Sequence, residues 1–181
     1  MLQHLATRAN NQVFIEFEEF KDVVLIAKSI PRDGRGVFRR IYDVQDTRIE
    51  PAEISFSHNT HTRTLRGLHY LEESQMEYKV VECVSGSVFD VIVDSRPSSP
   101  NYLDYTNKIV SSDSEFAILI PPGFAHGYLT LEDNSSLIYQ MSSPYESKFE
   151  RGLRWNDPSI GIEWPASPKV ISDKDSHWKF V

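Results

Sequence analysis

Short runs rich in valine, isoleucine, phenylalanine and tyrosine recur along the chain, with turn residues between them. They are Val23 to Ala27, Lys79 to Val84, Val88 to Asp94, Phe116 to Ile120, Tyr128 to Leu131 and Leu137 to Met141. β-Branched and aromatic runs of this length, bounded by Gly, Pro, Ser and Asn, predict strands, and their number predicts an all-β barrel or sandwich. Long helical periodicity is missing, so helix is expected only as a turn or two at each terminus, in Met1 to Ala9 and after Ser172. Ser85-Gly86-Ser87 lies between two apolar runs and reads as a hairpin turn with Gly86 in the left-handed region. Pro121-Pro122-Gly123 likewise ends one strand before the next begins. Arg96 to Pro100, and Pro51 with Ser57 to Arg63, read as surface loops.

Alternation along Val88 to Asp94 puts Asp90 and Asp94 on the same strand face as Ile92. An acid on that face needs either solvent at a sheet edge or a polar cavity lined by cations.

The 181 residues are enough for a sizeable core and predict one domain over residues 1–181. A hydrophobic content of 40% and a charged content of 25% exclude a disordered chain. Apolar runs such as Phe116 to Pro122 are far short of the roughly 18 residues that span a bilayer, so no membrane partner is expected. Met1 to Gln12 carries Gln3, His4, Arg8, Asn10 and Asn11 rather than an apolar export signal, which points to the cytoplasm. A net charge of −7 disfavours nucleic acid as a partner. Cys83, within an apolar strand, reads as structural rather than nucleophilic.

The densest set of polar groups among apolar neighbours is Arg66-Gly67-Leu68-His69-Tyr70, followed by Lys79 and by His126 in Pro121-Pro122-Gly123-Phe124-Ala125-His126-Gly127. Small barrels bind ligands inside, so a cavity site is expected. Metal-binding barrels use a His-x-His pair, a later glutamate and a distal histidine. Here those positions read His69, Leu71, Lys79 and His126, so two ligands are missing and an ammonium would repel a dication. No metal is expected. His58 and His61 fall in polar context and read as solvated or as rim residues.

Five segments stand in register along the chain: Arg35 to Phe38, Leu65 to Tyr70, Asp90 to Arg96, Ile120 to Gly127, and Gly152 to Pro158 with Trp164-Pro165. Together they resemble the dTDP-4-dehydrorhamnose 3,5-epimerase family over nearly the whole chain. The resemblance implies a double-stranded β-helix, a jelly-roll of the cupin-like kind, and a cofactor-free epimerase acting on a nucleotide-diphosphate 4-keto-6-deoxy sugar. It implies His69 as the base, Tyr139 as the opposing acid, and Asp175 of Lys174-Asp175 as the partner of His69, with Asp173 a close competitor. Arg66, Lys79, His126, Tyr145, Glu150, Asn59, Lys174 and, more weakly, Arg35 fall at substrate-binding positions. It also implies a homodimer in which a strand near Val13 to Phe20 crosses to the partner's sheet.

The implied chemistry is self-consistent. A ketone at C4 acidifies the hydrogens at C3 and C5 because the carbanion delocalises onto oxygen as an enolate. A base on one face and an acid on the other invert the centre, and a cation such as Lys79 stabilises the developing oxyanion. Three positions depart from the family pattern. Arg40 replaces a usual glutamate, Ser55-Phe56-Ser57-His58-Asn59 stands where Gln-x-Asn is common with only Asn59 alignable, and Leu71 replaces a glutamine. Those changes leave the nucleotide, and the choice of C3, C5 or both, open. The competing readings are a non-catalytic sugar-nucleotide binding module and a metal-dependent barrel enzyme.

Overall fold

The computed structural model describes residues 6–9, 12–16, 20, 22–43, 49–72, 74–75 and 77–181, with side chains described from residue 20 onward. Two antiparallel sheets face each other. The larger holds seven strands in the order β1 (Ala6–Ala9), β2 (Gln12–Glu16), β3 (Val24–Ala27), β11 (Phe116–Ile120), β8 (Lys79–Ser85), β13 (Ser135–Met141) and β6 (Glu53–Asn59). The smaller runs β10 (Tyr105–Ser111), β9 (Ser87–Asp94), β12 (Phe124–Thr130), β7 (Thr64–Leu71) and β14 (Glu150–Gly152), with β15 (Val170–Ile171) beside β7. A ribbon of β4 (Arg32–Asp33) and β5 (Gly36–Val37) stands apart, and α1 spans Asp173–Ser176.

From β6 to β14 the chain passes back and forth between the sheets, save for β9 and β10, which pair with each other in the smaller one; this is the jelly-roll path. Ser85-Gly86-Ser87 is therefore not a hairpin turn. β8 pairs with β11 and β13 while β9 pairs with β10 and β12, so Gly86 is a corner that moves the chain from one sheet to the other. Its φ is +67°, as expected for the tight corner, and a Cβ there would stand 3.0 Å from Ser135 Cα.

The inner faces form a core of Val81, Cys83, Val88, Ile92, Ile118, Tyr128 and Leu137, each at most 2% exposed. Fully burying such a side chain contributes about 1.5–3 kcal/mol. Burial pushes the Cys83 thiol up to about 11, in keeping with an inert structural cysteine. On its outer face the smaller sheet carries a second cluster, with Leu65, Leu68, Phe89, Val91 and Leu129 under the segment that follows β14. Trp155 and Trp164 belong to that cover. Both pack on the back of the smaller sheet.

Three further expectations change. Residues 6–9 form a strand, not a helical turn, and residues 1–5 lie outside the described residues. Ser57 to Asn59 belong to β6, where serine and asparagine face inward. β10 was not legible because its exposed edge needs little apolar patterning. The strand expected over Val13 to Phe20 is observed as Gln12–Glu16, paired within this chain to β1 and β3, while residues 17–19 lie outside the described residues. Among the described residues no helix is long and apolar enough to cross a membrane.

Gly86→Ala should lower the unfolding free energy by about 2 kcal/mol or more, from left-handed strain and the contact with Ser135. Urea unfolding checks this; an unchanged midpoint would remove the corner's requirement for glycine.

Candidate active site

Residues of both sheets enclose a cavity of about 720 Å³. Its wall begins with an irregularity in β7. Arg66 and His69 are three residues apart, so a regular strand would send them to opposite faces. Opposite β12, however, His69 pairs with His126 and Arg66 with Tyr128, three steps on β7 against two on β12. The extra residue is a β-bulge that turns both Arg66 and His69 into the cavity. It needs Gly67, whose φ is +119° and whose Cβ would lie 2.5 Å from Gly127 Cα. The Gly67–Leu68 peptide bond is cis.

β15 lies alongside Thr64 and Leu65, so the chain enters α1 next to the bulge. Ser172 caps α1 by accepting from the Asp175 amide. Asp175 is thereby buried at 3% exposure, with Oδ1 2.7 Å from His69 Nε2 and Oδ2 accepting from Gly67 N–H at 3.2 Å. Burial works against the Asp175 charge. The hydrogen bond from His69, its charge and the Gly67 amide outweigh that and hold the carboxyl below its usual value. With Nε2–H donated to Asp175, Nδ1 carries the lone pair and lies 3.9 Å from Glu150 Oε1. Trp178 packs edge-on behind the imidazole at 6.4 Å. Its indole sits where any Cβ on Gly152 would be, 2.2 Å from Cε2, a role for the tail that the sequence did not disclose. Asp173, the first residue of α1, instead accepts from Ser176 Oγ at its backbone oxygen, so it is Asp175 that meets His69.

Tyr139 reaches the cavity from β13 in the opposite sheet. Burial first, then Tyr128 and Asp90, push its phenol well above the usual range. It stands edge-on to His126 at 5.9 Å, and His126 Nε2 lies 2.8 Å from Asp90 Oδ2. Asp90 is 1% exposed, so it is no solvated edge residue; His126 is the partner its position demands. Tyr128, read from the sequence only as the start of a strand, lines the same wall.

Charges alternate around the rim. Lys79 pairs with Glu77 at 3.0 Å, a carboxylate the sequence reading did not single out. Lys174 holds Glu150 at 2.8 Å and 3.0 Å, and Tyr145 donates to the same carboxylate at 2.8 Å. Burial disfavours the Glu150 charge, but these donors and His69 keep its carboxyl below the usual value. Arg66 lines the cavity and donates from Nε to Asn59 Oδ1 at 2.8 Å. Asn59, 2% exposed, thus stands behind Arg66 rather than on the wall. Arg35 is not brought to the cavity. It sits on the β4–β5 ribbon with its side chain 91% exposed, paired with Asp33 at 2.6 Å. Arg40 pairs with Asp43, and His58 with Ser136 on the outside. Among the described residues no three His, Cys, Asp or Glu side chains converge as metal ligands.

Comparison with known proteins gives a consistent answer. A family model described as dTDP-4-dehydrorhamnose 3,5-epimerase matches residues 18–181. A dTDP-4-dehydrorhamnose 3,5-epimerase of Shigella flexneri is 37% identical over 171 residues, 90% of this chain and 93% of that one. The epimerase of Legionella pneumophila, solved with dTDP-4-keto-L-rhamnose, superimposes with a TM-score of 0.85 at 29% identity, over 94% of this chain and 93% of the other. A 4-keto-6-deoxy sugar epimerase from the novobiocin gene cluster of Streptomyces spheroides gives 0.86 at 27% identity, over 97% and 90%.

The depressed Asp175 carboxyl has a consequence for stability. The unfolded chain takes up its proton first, near the unperturbed value of about 3.9, so the contribution is complete above that pH and is lost as pH falls through the lower folded value. The stability gap between the native chain and Asp175→Asn should therefore narrow when denaturant unfolding is compared at pH 6 and pH 3. A constant gap would mean that the ionised carboxylate is not what holds the His69 contact.

Proposed function

The chain belongs to the dTDP-4-dehydrorhamnose 3,5-epimerase family, and from that membership we propose how it inverts carbons flanking the ketone of a nucleotide-diphosphate 4-keto-6-deoxy sugar. The observation that carries the reading is the His69–Asp175 pair on one sheet, with Tyr139 entering the same cavity from the other.

His69 Nδ1 takes the proton from the carbon beside the ketone. Asp175, hydrogen-bonded to Nε2, fixes the tautomer and stabilises the imidazolium that forms. Lys79 on the cavity wall supplies a donor for the enolate oxygen, where one well-placed donor is worth about 3–4 kcal/mol of barrier. Tyr139 returns a proton on the opposite face, which inverts the centre. Its raised phenol stays protonated until the carbanion, a much stronger base, appears. Arg66, with Nε tied to Asn59, offers its terminal amino groups to the diphosphate, and Tyr145 at the rim is placed to stack on the nucleobase. By likeness to the Shigella and Legionella proteins, that base is thymine. Glu150 and Lys174 close the rim beside His69. Arg35, exposed on its ribbon, is left out of the set.

A homodimer fits the same picture. Ile54 and Phe56 remain 54% and 64% exposed on the outer face of β6, the edge strand of the larger sheet, where a second copy would cover them.

Incubation with dTDP-4-keto-6-deoxyglucose in heavy water tests the chemistry. Deuterium should enter C3, C5 or both. His69→Ala should lower exchange by about 10²–10⁴-fold. Tyr139→Phe should keep exchange but lose inversion, because the base can return a deuteron to the face it was taken from. Full inversion by Tyr139→Phe would remove Tyr139 from the acid's role. Sedimentation should give twice the chain mass, and a monomer at micromolar concentration would rule out the dimer.

A further inference from the structure

Gly152 stands directly across from His69 where β14 pairs with β7. Side chains at paired positions of neighbouring strands share a face and touch, so a glycine there leaves a hollow beside the imidazole. The hollow is filled from elsewhere. The Trp178 indole lies where a Gly152 Cβ would point, and it meets the His69 ring edge-on, with centroids 6.4 Å apart. Its N–H is buried without a hydrogen-bond partner among the described residues, so the ring is kept here by its shape and not by a bond it makes. The segment that carries it is held on both sides of the indole. Asp175, three residues earlier, binds His69 Nε2 at 2.7 Å. Beyond it, Arg154 donates to the Trp178 carbonyl at 3.3 Å and lays its guanidinium on the Phe180 ring at 4.9 Å, while Asp157 accepts from the Val181 N–H at 2.7 Å. One short stretch of chain therefore brings both a carboxylate and an apolar wall to the same imidazole.

We propose that Trp178 is a positioning residue for the base: by filling the hollow over Gly152 it holds the His69 imidazole in the orientation that keeps Nε2 on Asp175 and Nδ1 toward the substrate. The inference rests on the epimerase reading above. A single hydrogen bond to Asp175 leaves the ring free to turn about Cβ–Cγ, where the energy well is broad. The His69 side chain is 27% exposed, so the cavity side leaves it room to move. Proton abstraction needs the Nδ1 lone pair aimed at the C–H bond, and a misplacement of about 1 Å can cost on the order of 10²-fold in rate. The indole removes the swing toward β14, and Asp175 fixes the direction that remains. Trp178 is not among the residues that line the cavity, so substrate binding does not draw on it. The division of labour explains why position 152 is glycine: the wall arrives with the tail that also delivers Asp175, and a side chain on β14 would displace it.

The test is the split between kcat and KM for solvent-deuterium exchange into dTDP-4-keto-6-deoxyglucose, measured below the thermal unfolding transition of each variant. Trp178→Ala should lower kcat about tenfold or more and leave KM within about threefold, since the base is misaimed while the binding residues are untouched. Trp178→Phe, which restores a flat ring edge, should recover most of that loss. Gly152→Ala, whose methyl pushes the indole out of the hollow, should lower kcat in the same way. In the double variant the methyl stands in the emptied hollow, so its loss should be no larger than that of Trp178→Ala alone. An indole that merely supports the fold would lower the unfolding midpoint and leave kcat per folded molecule unchanged; that result, a rise in KM with kcat kept, or losses that multiply in the double variant overturns the proposal. If Trp178→Ala lacks an unfolding transition, Gly152→Ala decides by the same split. A native chain without exchange at C3 or C5 sinks the epimerase reading itself; native exchange beside an unaffected kcat in Trp178→Ala sinks only the role of the indole.

Discussion

One extra residue in β7 governs the rest of the cavity. Between the pairs His69–His126 and Arg66–Tyr128 the strand gains a step on β12, and the pleat that would have split Arg66 from His69 is reset. Only glycine on both strands allows it, because Gly67 presses on Gly127 at a distance that any Cβ would occupy. The same bulge turns the Gly67 amide to Asp175 and so helps to anchor the carboxylate that orients His69. Imidazole, carboxylate and guanidinium are therefore set by one backbone feature.

Around that feature, buried charge is handled in pairs. Asp175 faces His69, Asp90 faces His126, Glu77 faces Lys79 and Glu150 faces Lys174. A lone carboxylate at such burial would protonate or pull in water. Paired, each keeps a hydrogen-bonding direction, and the cations are held on the wall with part of their donor capacity free for an anion. Lys79 is the instructive case. Its carboxylate neighbour tempers the bare ammonium that the sequence suggested, so its role depends on a partner two residues away.

The strands were legible because buried β segments must be apolar: Phe116–Ile120 coincides with its predicted run, and Lys79–Ser85 and Ser87–Asp94 differ by one residue. The end of β6, Ser57 to Asn59, was read as loop because its inward positions are Ser57 and Asn59, polar residues chosen by the cavity rather than by water. Gly86 was rightly placed in the left-handed region but wrongly in a hairpin, since local conformation does not say which sheet the next strand joins. Of the site, His69, Lys79 and His126 stood out by residue type and motif, while Tyr139 and Asp175 were reached through the family resemblance. Glu77, Tyr128 and Trp178 did not, because carboxylates and aromatics at such positions are common and only proximity gives them meaning.

What the chain determined by itself was its alphabet of strands and the set of groups that can move a proton, because hydrophobic patterning and side-chain chemistry are local properties. Which of Asp173 and Asp175 meets His69, that Arg35 stays outside, and that the Tyr128 and Tyr139 rings both pack against His126 were decided by the tertiary structure alone. Those facts depend on distances between residues up to 106 positions apart, set by strand register, by a bulge and by a glycine corner. No local preference encodes such a separation; the packing of two sheets does.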